Sequence, residues 1–485
     1  MVMNRAANYY ENEQKRANLL SPGFFSAYLL VCLFLLNLPF AAAATPPAVI
    51  KAADSELRGA EKEISLMRAF DEALIRSPRV GAIRLLLGIS KAELIRATEM
   101  DNPSIFMDNG YRAEFTYRYG FTVPLEMPWK IALRVALAKN QIKQTDLEII
   151  KALWNFRADV RRAYTNLVLA QELNLTLQEL VDLTSRLQKI ARKRFEAGEV
   201  SELDVFRAEQ EATKAIADKA QQSYRVTEAQ QALSLILGRS ATDEISAPRL
   251  PPDGPAPEAA GILPGPEGSL PSLSICLQQA MKNRPELKVI QQTIRTNGAN
   301  LKLAVANIVP NPTIGVGSSV VNGPAQPQSS SATSSGASSD GSSSSGSPSP
   351  PNRTNFHGFF FQVFQQLPIF DVQQGDIAQF RATARQLKAE LAGQENLVSS
   401  EVATAYQRVL GARKKIEIYQ NDLLKKTLEI ARLARLGYEV GASDINATLL
   451  AQQSTIQIKT EYLDALSAYQ QAFTDLEQSI GTTLQ

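Results

Sequence analysis

The sequence predicts a mainly helical fold made of two tandem repeats, each of which carries one pair of short β-strands. Three observations lead to this prediction. Several motifs recur in the same order in both halves of the chain, long proline-free stretches space apolar residues by threes and fours, and each half has one segment rich in aromatic and β-branched residues. The repeats span 64–247 and 272–485, and the Pro/Gly-rich stretch 248–271 is the predicted linker.

The composition argues against an enzyme. The 485 residues carry 51 Lys and Arg against 49 Asp and Glu, so no bulk positive charge is available to hold a nucleic acid. His357 is the one histidine, and Cys32 and Cys276 are the two cysteines. A His/Cys zinc site, a Ser-His-Asp triad and a disulfide framework are therefore not expected. We predict no catalytic residue, no cofactor and no metal site.

The first 44 residues are predicted to be a signal peptide. A polar stretch with basic residues precedes an apolar run at 24–40, and small residues follow at 41–44. An uncleaved membrane anchor is the alternative, but the run is short for a span and Pro39 lies at its end. Cleavage would leave a mature chain that begins at Ala44 or Thr45, with an extended segment at 45–63.

The repeat is seen most directly by pairing its motifs. Matched segments run from the start of each copy to its end, and in the pair 191–204 with 434–446 the second copy is read as one residue shorter after the glycine. The pairs are 64–78 with 273–285, Asn102-Pro103 with Asn311-Pro312, 161–172 with 403–414 (Tyr164 opposite Tyr406), 191–204 with 434–446, and 230–238 with 471–481.

In the first repeat, a helix is predicted over 64–101, because Asn102 precedes a proline that pushes it out of the α region. Two strands follow within 103–128, with turn chemistry at Asn109-Gly110. A long helix over 129–195 leads to a tight tip at 196–201 and a return helix.

The second repeat has the same predicted layout. Its strands are placed at 312–321 and 356–370, and its tip at 438–443, between a long helix and a return helix. The Ser/Gly/Pro-rich stretch 322–354 joins the two strands. Such a composition cannot bury a core, so we expect a mobile, dispensable loop at one end of the sheet.

Four strands cannot close a membrane barrel, because an open sheet in lipid leaves its edges unpaired. If several chains share one barrel, those edges are satisfied, and the aromatic residues of the strands suit an interfacial girdle. A small soluble sheet packed on the helices is the alternative.

These residues resemble the TolC-like outer-membrane efflux protein family over roughly 60–483. The resemblance is carried by Ser77-Pro78 and Arg284-Pro285 after the first helices, by the two Asn-Pro pairs, by Leu-Pro-Ile-Phe at 367–370, and above all by the tip sequences RFEAGEVSELDV and GYEVGASDINA. The tip sequences and Pro124-Leu125-Glu126 are similar to those of the class that serves resistance-nodulation-division (RND) pumps for heavy metals and drugs.

The resemblance implies a homotrimer in which three chains build one twelve-stranded β-barrel in the outer membrane and a long α-helical coiled-coil barrel in the periplasm. It implies a passive exit duct of a tripartite efflux or type I secretion system. The implied partners are outer-membrane lipid, a periplasmic adaptor and an inner-membrane transporter of the RND or ABC type. The serine-rich loop would then be extracellular.

The resemblance also places functional residues at the tips. Independently of it, Gly198 and Gly441 suit left-handed helix ends, and Ser201 and Ser443 are suited to capping the return helices. Adaptor docking at the tips is implied by the resemblance alone. The full docking set is Phe195, Gly198, Glu199, Ser201, Tyr438, Gly441 and Ser443.

Family members carry an acidic ring near the second tip that narrows the pore. This chain departs from that pattern, since Asn446 and Leu449 stand where carboxylates are expected. Asp444 and Asn446 are therefore the candidate constriction residues. The basic run at 192–194 is read as a solvated helix end.

Two other functions compete with the exit duct. A periplasmic coiled-coil adaptor or scaffold without a barrel would share the long helices, but it would not need strand pairs between them. A secreted hydrolase is a remote third alternative, because the single histidine and two cysteines leave few candidates for a catalytic site.

Overall fold

A computed structural model describes residues 62–111, 115–249, 270–324 and 353–484 of the chain. These residues belong to the compact unit Leu57–Gln485. Three predicted segments lie wholly or mostly outside the described residues: the signal peptide, the linker and the serine-rich loop. Asn109 and Gly110 are described by their backbone alone.

Each repeat has the predicted order of helix, strand pair, long helix and return helix. The first contains α1 (Leu66–Arg76), α2 (Pro78–Thr98), β1 (Ser104–Tyr111), β2 (Phe115–Pro124), α3 (Pro128–Glu196) and α4 (Glu202–Leu237). The second contains α5 (Leu273–Asn283), α6 (Pro285–Ala306), β3 (Thr313–Pro324), β4 (Arg353–Phe364), α7 (Gln374–Ile418), a π-helical turn (Tyr419–Leu423), α8 (Leu424–Glu439) and α9 (Ile445–Ile480). The mainly helical fold with a strand pair in each repeat is confirmed.

The prediction of one helix over 64–101 is wrong, because the helix is divided at Ser77. This residue is extended, with φ −61° and ψ 123°. Pro78 forces the change, since the residue before a proline avoids the α region, while the proline itself is well suited to the first position of the next helix. Arg284 and Pro285 divide the second repeat in the same way.

The four strands form one antiparallel sheet in the order β1-β2-β3-β4. The turn predicted at Asn109-Gly110 is wrong. These two residues pair with Tyr117 and Thr116 inside the β1–β2 ladder, which continues to the Tyr111–Phe115 pair.

The strands of the second repeat also differ from their predicted bounds. β3 extends to Pro324 rather than ending at 321. β4 begins at Arg353 and ends at Phe364, so 365–370 is not a strand. The ladder ends at the pair of Phe364 with Thr313, the first residue of β3, which directly follows Pro312. A proline has no N–H to donate to a ladder.

Apolar residues form a separate core in each repeat. In the first core the Tyr164 ring is fully buried among residues of α1, α3 and α4. The second core surrounds Tyr469 and Phe473 of α9, together with residues of α5 and α7.

A buried ion pair joins the repeats between α3 and α9. The Arg161 guanidinium donates to the Glu477 carboxylate, and the two side chains are each 4% exposed. Burial lowers the pKa of Arg161, although Glu477 opposes this shift. The Arg157 guanidinium also lies 3.6 Å from the Glu477 carboxylate. Removal of Glu477 would therefore leave the buried Arg161 charge without its carboxylate, so this carboxylate helps to fix how the two repeats pack.

The outgoing helices of the two repeats are long. α3 has 69 residues, which corresponds to about 100 Å at 1.5 Å per residue. Among the described residues, no helix combines the length and the apolar character that crossing a membrane requires.

Candidate functional site

The two tips share one backbone conformation. α3 ends at Glu196 and α8 at Glu439, and the second residue after each end is a glycine, Gly198 or Gly441, with φ +78°. The predicted left-handed glycines are confirmed. Glycine adopts this conformation without the Cβ penalty of other residues, so each long helix can reverse within a few residues.

The carbonyl groups at the helix ends are satisfied in the same way at both tips. The Glu199 N–H donates to the Arg194 carbonyl over 2.9 Å, and the Ala442 N–H donates to the Gly437 carbonyl over 2.7 Å. The reversals occupy 197–201 and 440–444, so Phe195 and Tyr438 are the last-turn residues of their helices.

At the first tip, the predicted cap is confirmed. Ser201 is the N-cap of α4, and its hydroxyl and N–H both donate to the Asp204 carboxylate, over 2.9 and 3.3 Å. The carboxylate therefore lies in the first helical turn, where it also favours the helix dipole.

At the second tip, the prediction that Ser443 caps the return helix is wrong. Asp444 is the N-cap of α9, and the Ser443 hydroxyl donates back to the Ala434 carbonyl over 3.2 Å. The N-cap follows the tip glycine by three residues in both copies, so Asp444 corresponds to Ser201. The second copy is not shorter at this point.

Ser443 instead packs against the preceding helix. A Cβ added to Gly437 would lie 2.9 Å from the Ser443 Oγ. Glycine at 437 thus provides the space that Ser443 occupies. In the first repeat the position that corresponds to Gly437 is Arg194.

Arg194 connects the two tips. Its Nη1 donates to the Tyr438 carbonyl over 2.9 Å, its Nε donates to the Glu199 carboxylate over 3.0 Å, and its Cζ lies 5.1 Å from the centre of the Tyr438 ring. The side chain is 20% exposed. The interpretation of 192–194 as a solvated helix end is therefore wrong for Arg194, whereas Arg192 and Lys193 are exposed.

A small core lies beneath the tips and contains residues of both repeats. Leu187 and Ala191 of α3 pack with Tyr438, Ile445 and Leu449. Tyr438 is 1% exposed. Burial raises its pKa, and the Asp204 and Asp444 carboxylates act in the same direction, against Arg194. The Tyr438 side chain thus joins the hairpins and offers no surface to a partner.

The other predicted docking residues remain accessible. Phe195 is 42% exposed, and Gly198, Glu199, Ser201 and Gly441 are exposed as well. Val440, which the sequence analysis did not select, is 80% exposed. Its position directly before the left-handed glycine could have identified it. The tips therefore present apolar side chains beside polar backbone turns.

The two candidate constriction residues contact each other. The Asn446 amide donates to the Asp444 carboxylate over 2.7 Å, and both residues are exposed. Leu449 is buried in the core beneath the tips. In the part of the chain that the structure describes, no cluster of His, Cys, Asp or Glu is suited to hold a metal ion.

Comparison with known proteins gives consistent matches. A family model described as outer membrane efflux protein matches residues 51–239 and 276–482. The cobalt-zinc-cadmium resistance protein CzcC of Cupriavidus metallidurans is 20% identical over 398 residues, which cover 81% of this chain and 84% of that protein.

Solved structures share the fold. CusC, whose structures concern transmembrane channel formation, aligns with a TM-score of 0.64 and 18% identity over 87% of this chain and 92% of that chain. The outer membrane protein VceC of Vibrio cholerae aligns with a TM-score of 0.61 and 13% identity over 87% and 97%.

Proposed function

The chain belongs to the outer membrane efflux protein family, and from this premise we propose that it is the outer-membrane exit duct of a tripartite efflux system. In this role it conducts substrates passively from an inner-membrane pump and a periplasmic adaptor to the cell exterior. The observation that carries the proposal is the sheet, because its edges and one of its faces need partners that a single chain does not supply.

The two faces of the sheet differ in character. One face presents large apolar side chains that are 46% to 97% exposed. They are Ile105, Met107, Tyr117, Tyr119, Phe121, Val123, Val316, Phe359, Phe361 and Val363. The other face carries mostly glycine, serine, threonine and charged residues. An apolar outer face and a polar inner face are the pattern of a membrane barrel with an aqueous lumen.

The edges support a homotrimer. In the described sheet, β1 and β4 each have a neighbour on one side only. Their backbone groups would remain unpaired in lipid, which costs several kcal/mol for each group. If β4 of one chain pairs with β1 of the next, three chains close a barrel of twelve strands. The strands have 8 to 12 residues, a length that crosses a bilayer when tilted.

The helices also present surface for neighbouring chains. α2 exposes Leu85, Ile89 and Ile95, each above 60%. An exposed apolar stripe on a helix indicates a partner surface, and in the proposed assembly it packs on the helices of the adjacent chain to form the periplasmic helical barrel.

The tips are the proposed adaptor-docking surface. Phe195 and Val440 supply exposed apolar contacts, and Gly198, Glu199, Ser201, Gly441 and Ser443 form the turns around them. Asp444, with Asn446 bound to its carboxylate, is the proposed charged constriction. CzcC is named a cobalt-zinc-cadmium resistance protein, and metal resistance agrees with the heavy-metal and drug class of RND pumps that the tip sequences resemble. We therefore propose an RND-type pump as the transporter rather than an ABC type.

The periplasmic adaptor without a barrel is the function that this proposal displaces. A soluble sheet packed on helices would bury its apolar face, whereas Phe359 is 97% exposed and Met107 85% exposed. No contact of the described residues covers that face.

The test is fractionation followed by reconstitution. We expect the mature chain to sediment with outer-membrane markers, to migrate as a heat-modifiable trimer, and to form conducting channels when purified trimer is added to planar lipid bilayers. Recovery as a soluble periplasmic monomer, or as trimer that conducts no current, would contradict the proposal.

A further inference from the structure

A row of four paired residues crosses the polar face of the sheet. Phe106 pairs with Gly120, Gly120 with Gly317, and Gly317 with Phe360. The row therefore places two glycines on the central strands between two phenylalanines on the edge strands. We call these four residues the aromatic panel.

The two rings lean over the glycines and are tilted to each other by 56°. β1 and β4 are separated by three strand spacings, which amount to about 14 Å at 4.8 Å each. The ring centres of Phe106 and Phe360 are only 5.8 Å apart. Each side chain must therefore lean inward along the sheet, toward the other ring, rather than stand upright from its strand.

The glycines make this arrangement possible. A Cβ added to Gly120 would lie 2.9 Å from Phe106 Cε1, and a Cβ added to Gly317 would lie 2.7 Å from Phe360 Cζ. A Cβ at Gly120 would also clash with the Val316 carbonyl oxygen, and one at Gly317 with the Tyr119 carbonyl oxygen, so any other residue would displace the neighbouring strand as well as the rings. The rings thus occupy space that side chains on the central strands would otherwise fill.

A guanidinium group lies at the edge of the panel. Arg118 is on the same face of β2 as Gly120, and its Cζ is 6.0 Å from the centre of the Phe360 ring. Asp108 is its cross-strand partner in the ladder, but within the described residues the two side chains form no ion pair. The panel thus combines two inclined aromatic rings with an adjacent cation.

We propose that the aromatic panel is a contact site on the lumen wall for planar aromatic anions, with aromatic carboxylates as the substrate class. The ring of such a molecule stacks on Phe360 and meets the Phe106 ring, which is inclined by 56°, at its edge, and its carboxylate pairs with Arg118. The proposal rests on the proposed function, because the polar face becomes the wall of the duct only in the closed barrel. A trimer then carries three panels at one level.

The experiment measures the block of single-channel current through purified trimer in planar bilayers, with 2-naphthoate as the probe. Acetate tests the need for the ring, and 1-naphthylmethylammonium tests the need for negative charge. We expect wild-type channels to be blocked by naphthoate in preference to both controls. Phe360→Leu, which keeps apolar volume but removes the ring, should weaken the block about tenfold, as expected for loss of a stacking contact.

Arg118→Gln should remove the preference for naphthoate over the ammonium analogue while some block by both remains. Phe359→Ala is the matched control, since Phe359 adjoins Phe360 in sequence but lies on the opposite, apolar face. Naphthoate should block the Phe359→Ala channel as strongly as the wild-type channel.

The outcomes separate the two proposals. If wild type conducts but naphthoate and acetate act alike, or if Phe359→Ala and Phe360→Leu weaken the block equally, the panel is only a cover for glycine backbone and the inference is overturned. If wild-type trimer conducts no current at all, the proposed function itself is contradicted.

Discussion

The helical hairpins α3–α4 and α8–α9 have the same backbone conformation at their tips, but the helices that lead to the two tips differ. Gly198 lies 34 residues after Tyr164, whereas Gly441 lies 35 residues after the matching Tyr406. α3 is continuous, and the corresponding helix of the second repeat contains the π-helical turn Tyr419–Leu423. A π-helical turn accommodates one additional residue within an α-helix. The turn therefore absorbs the extra residue and keeps the two tips level.

The side chains at the tips have diverged although the backbone has not. The first return helix is capped by Ser201 with Asp204, and the second by Asp444 alone. Arg194 extends from the first tip to the second, where Gly437 and Gly441 leave room for their neighbours. The comparison teaches that the turn geometry is the shared part of the repeat, while the chemistry of each tip is specific to its place in the assembly.

The largest expected contrast comes from deleting one residue at the same place in each repeat. Asn421 lies 15 residues after Tyr406, and Glu179 lies 15 residues after Tyr164. Deletion of Asn421 should convert the π-turn to regular helix and preserve trimers. Deletion of Glu179 should turn the rest of α3 by about 100° relative to its partners and abolish trimers, as read by heat-modifiable migration.

Glu179 also pairs with Lys459 over 3.0 Å, so Glu179→Ala is needed as a control. An exposed pair of this kind contributes about 1 kcal/mol or less, and Glu179→Ala should retain trimers. Equal loss of trimers in both deletion variants would show that the π-turn has a role beyond absorbing the extra residue.

The second contrast concerns the tip glycines. Valine at φ +78° costs on the order of 1–3 kcal/mol, so Gly198→Val and Gly441→Val should distort the tips, which lie far from the sheet along the helices. We expect outer-membrane trimers to persist and adaptor cross-linking and export to be lost. Gly441→Val should be the more severe, because its Cβ would lie 3.3 Å from the Arg194 Nη2, whereas nothing lies within 4 Å of a Cβ at Gly198.

Asparagine tolerates the left-handed conformation better than valine. Gly198→Asn should therefore recover cross-linking and export, and Gly441→Asn should recover them only in part. If both valine variants retain full export, docking does not depend on the turn geometry.

The third contrast tests the link that the Arg194 side chain makes between the two tips. Arg194→Gln removes the donor to the Tyr438 carbonyl and the cation above its ring, which together contribute about 1–3 kcal/mol locally. Hydrogen exchange should become faster in peptides around 434–445. Arg192→Gln is the control, since Arg192 is exposed and its nearest carboxylate oxygen, on Glu196, is 3.9 Å away. If the two variants exchange alike, Arg194 does not hold the tips together.

Local chemistry made much of this fold predictable. The strand pairs, the helix ends before prolines and the left-handed glycines each follow from a residue and its immediate neighbours. The Asn109-Gly110 turn was a wrong local prediction, because the β1–β2 ladder extends past it to the Tyr111–Phe115 pair.

The misassigned parts of the site depend on contacts between repeats. Arg194 was read as solvated because one of its partners, Tyr438, lies on the other hairpin, 244 positions away. Tyr438 was read as accessible for the same reason, since its burial comes from both repeats. The N-cap at Asp444 could have been found by counting from the glycine rather than by matching serine to serine.

The smallest expected effect tests whether the second tip carries a function that the first does not. The Asp444 side chain makes no capping hydrogen bond to α9, and asparagine suits the N-cap position as well as aspartate, so Asp444→Asn removes charge with little loss of stability. In the proposed trimer, three Asp444 carboxylates around one axis attract cations and repel anions. We expect the variant to lower cation selectivity and block by divalent cations in bilayer recordings, with trimer stability unchanged.

Asp204→Asn removes a carboxylate from the first tip and is the matched control, and Asn446→Ala tests the neighbouring amide; both should leave selectivity close to wild type. If Asp444→Asn and Asp204→Asn give the same selectivity as wild type, Asp444 serves only as a helix cap. The two tips would then differ in their helix caps and hydrogen bonds, but not in their effect on ion selectivity.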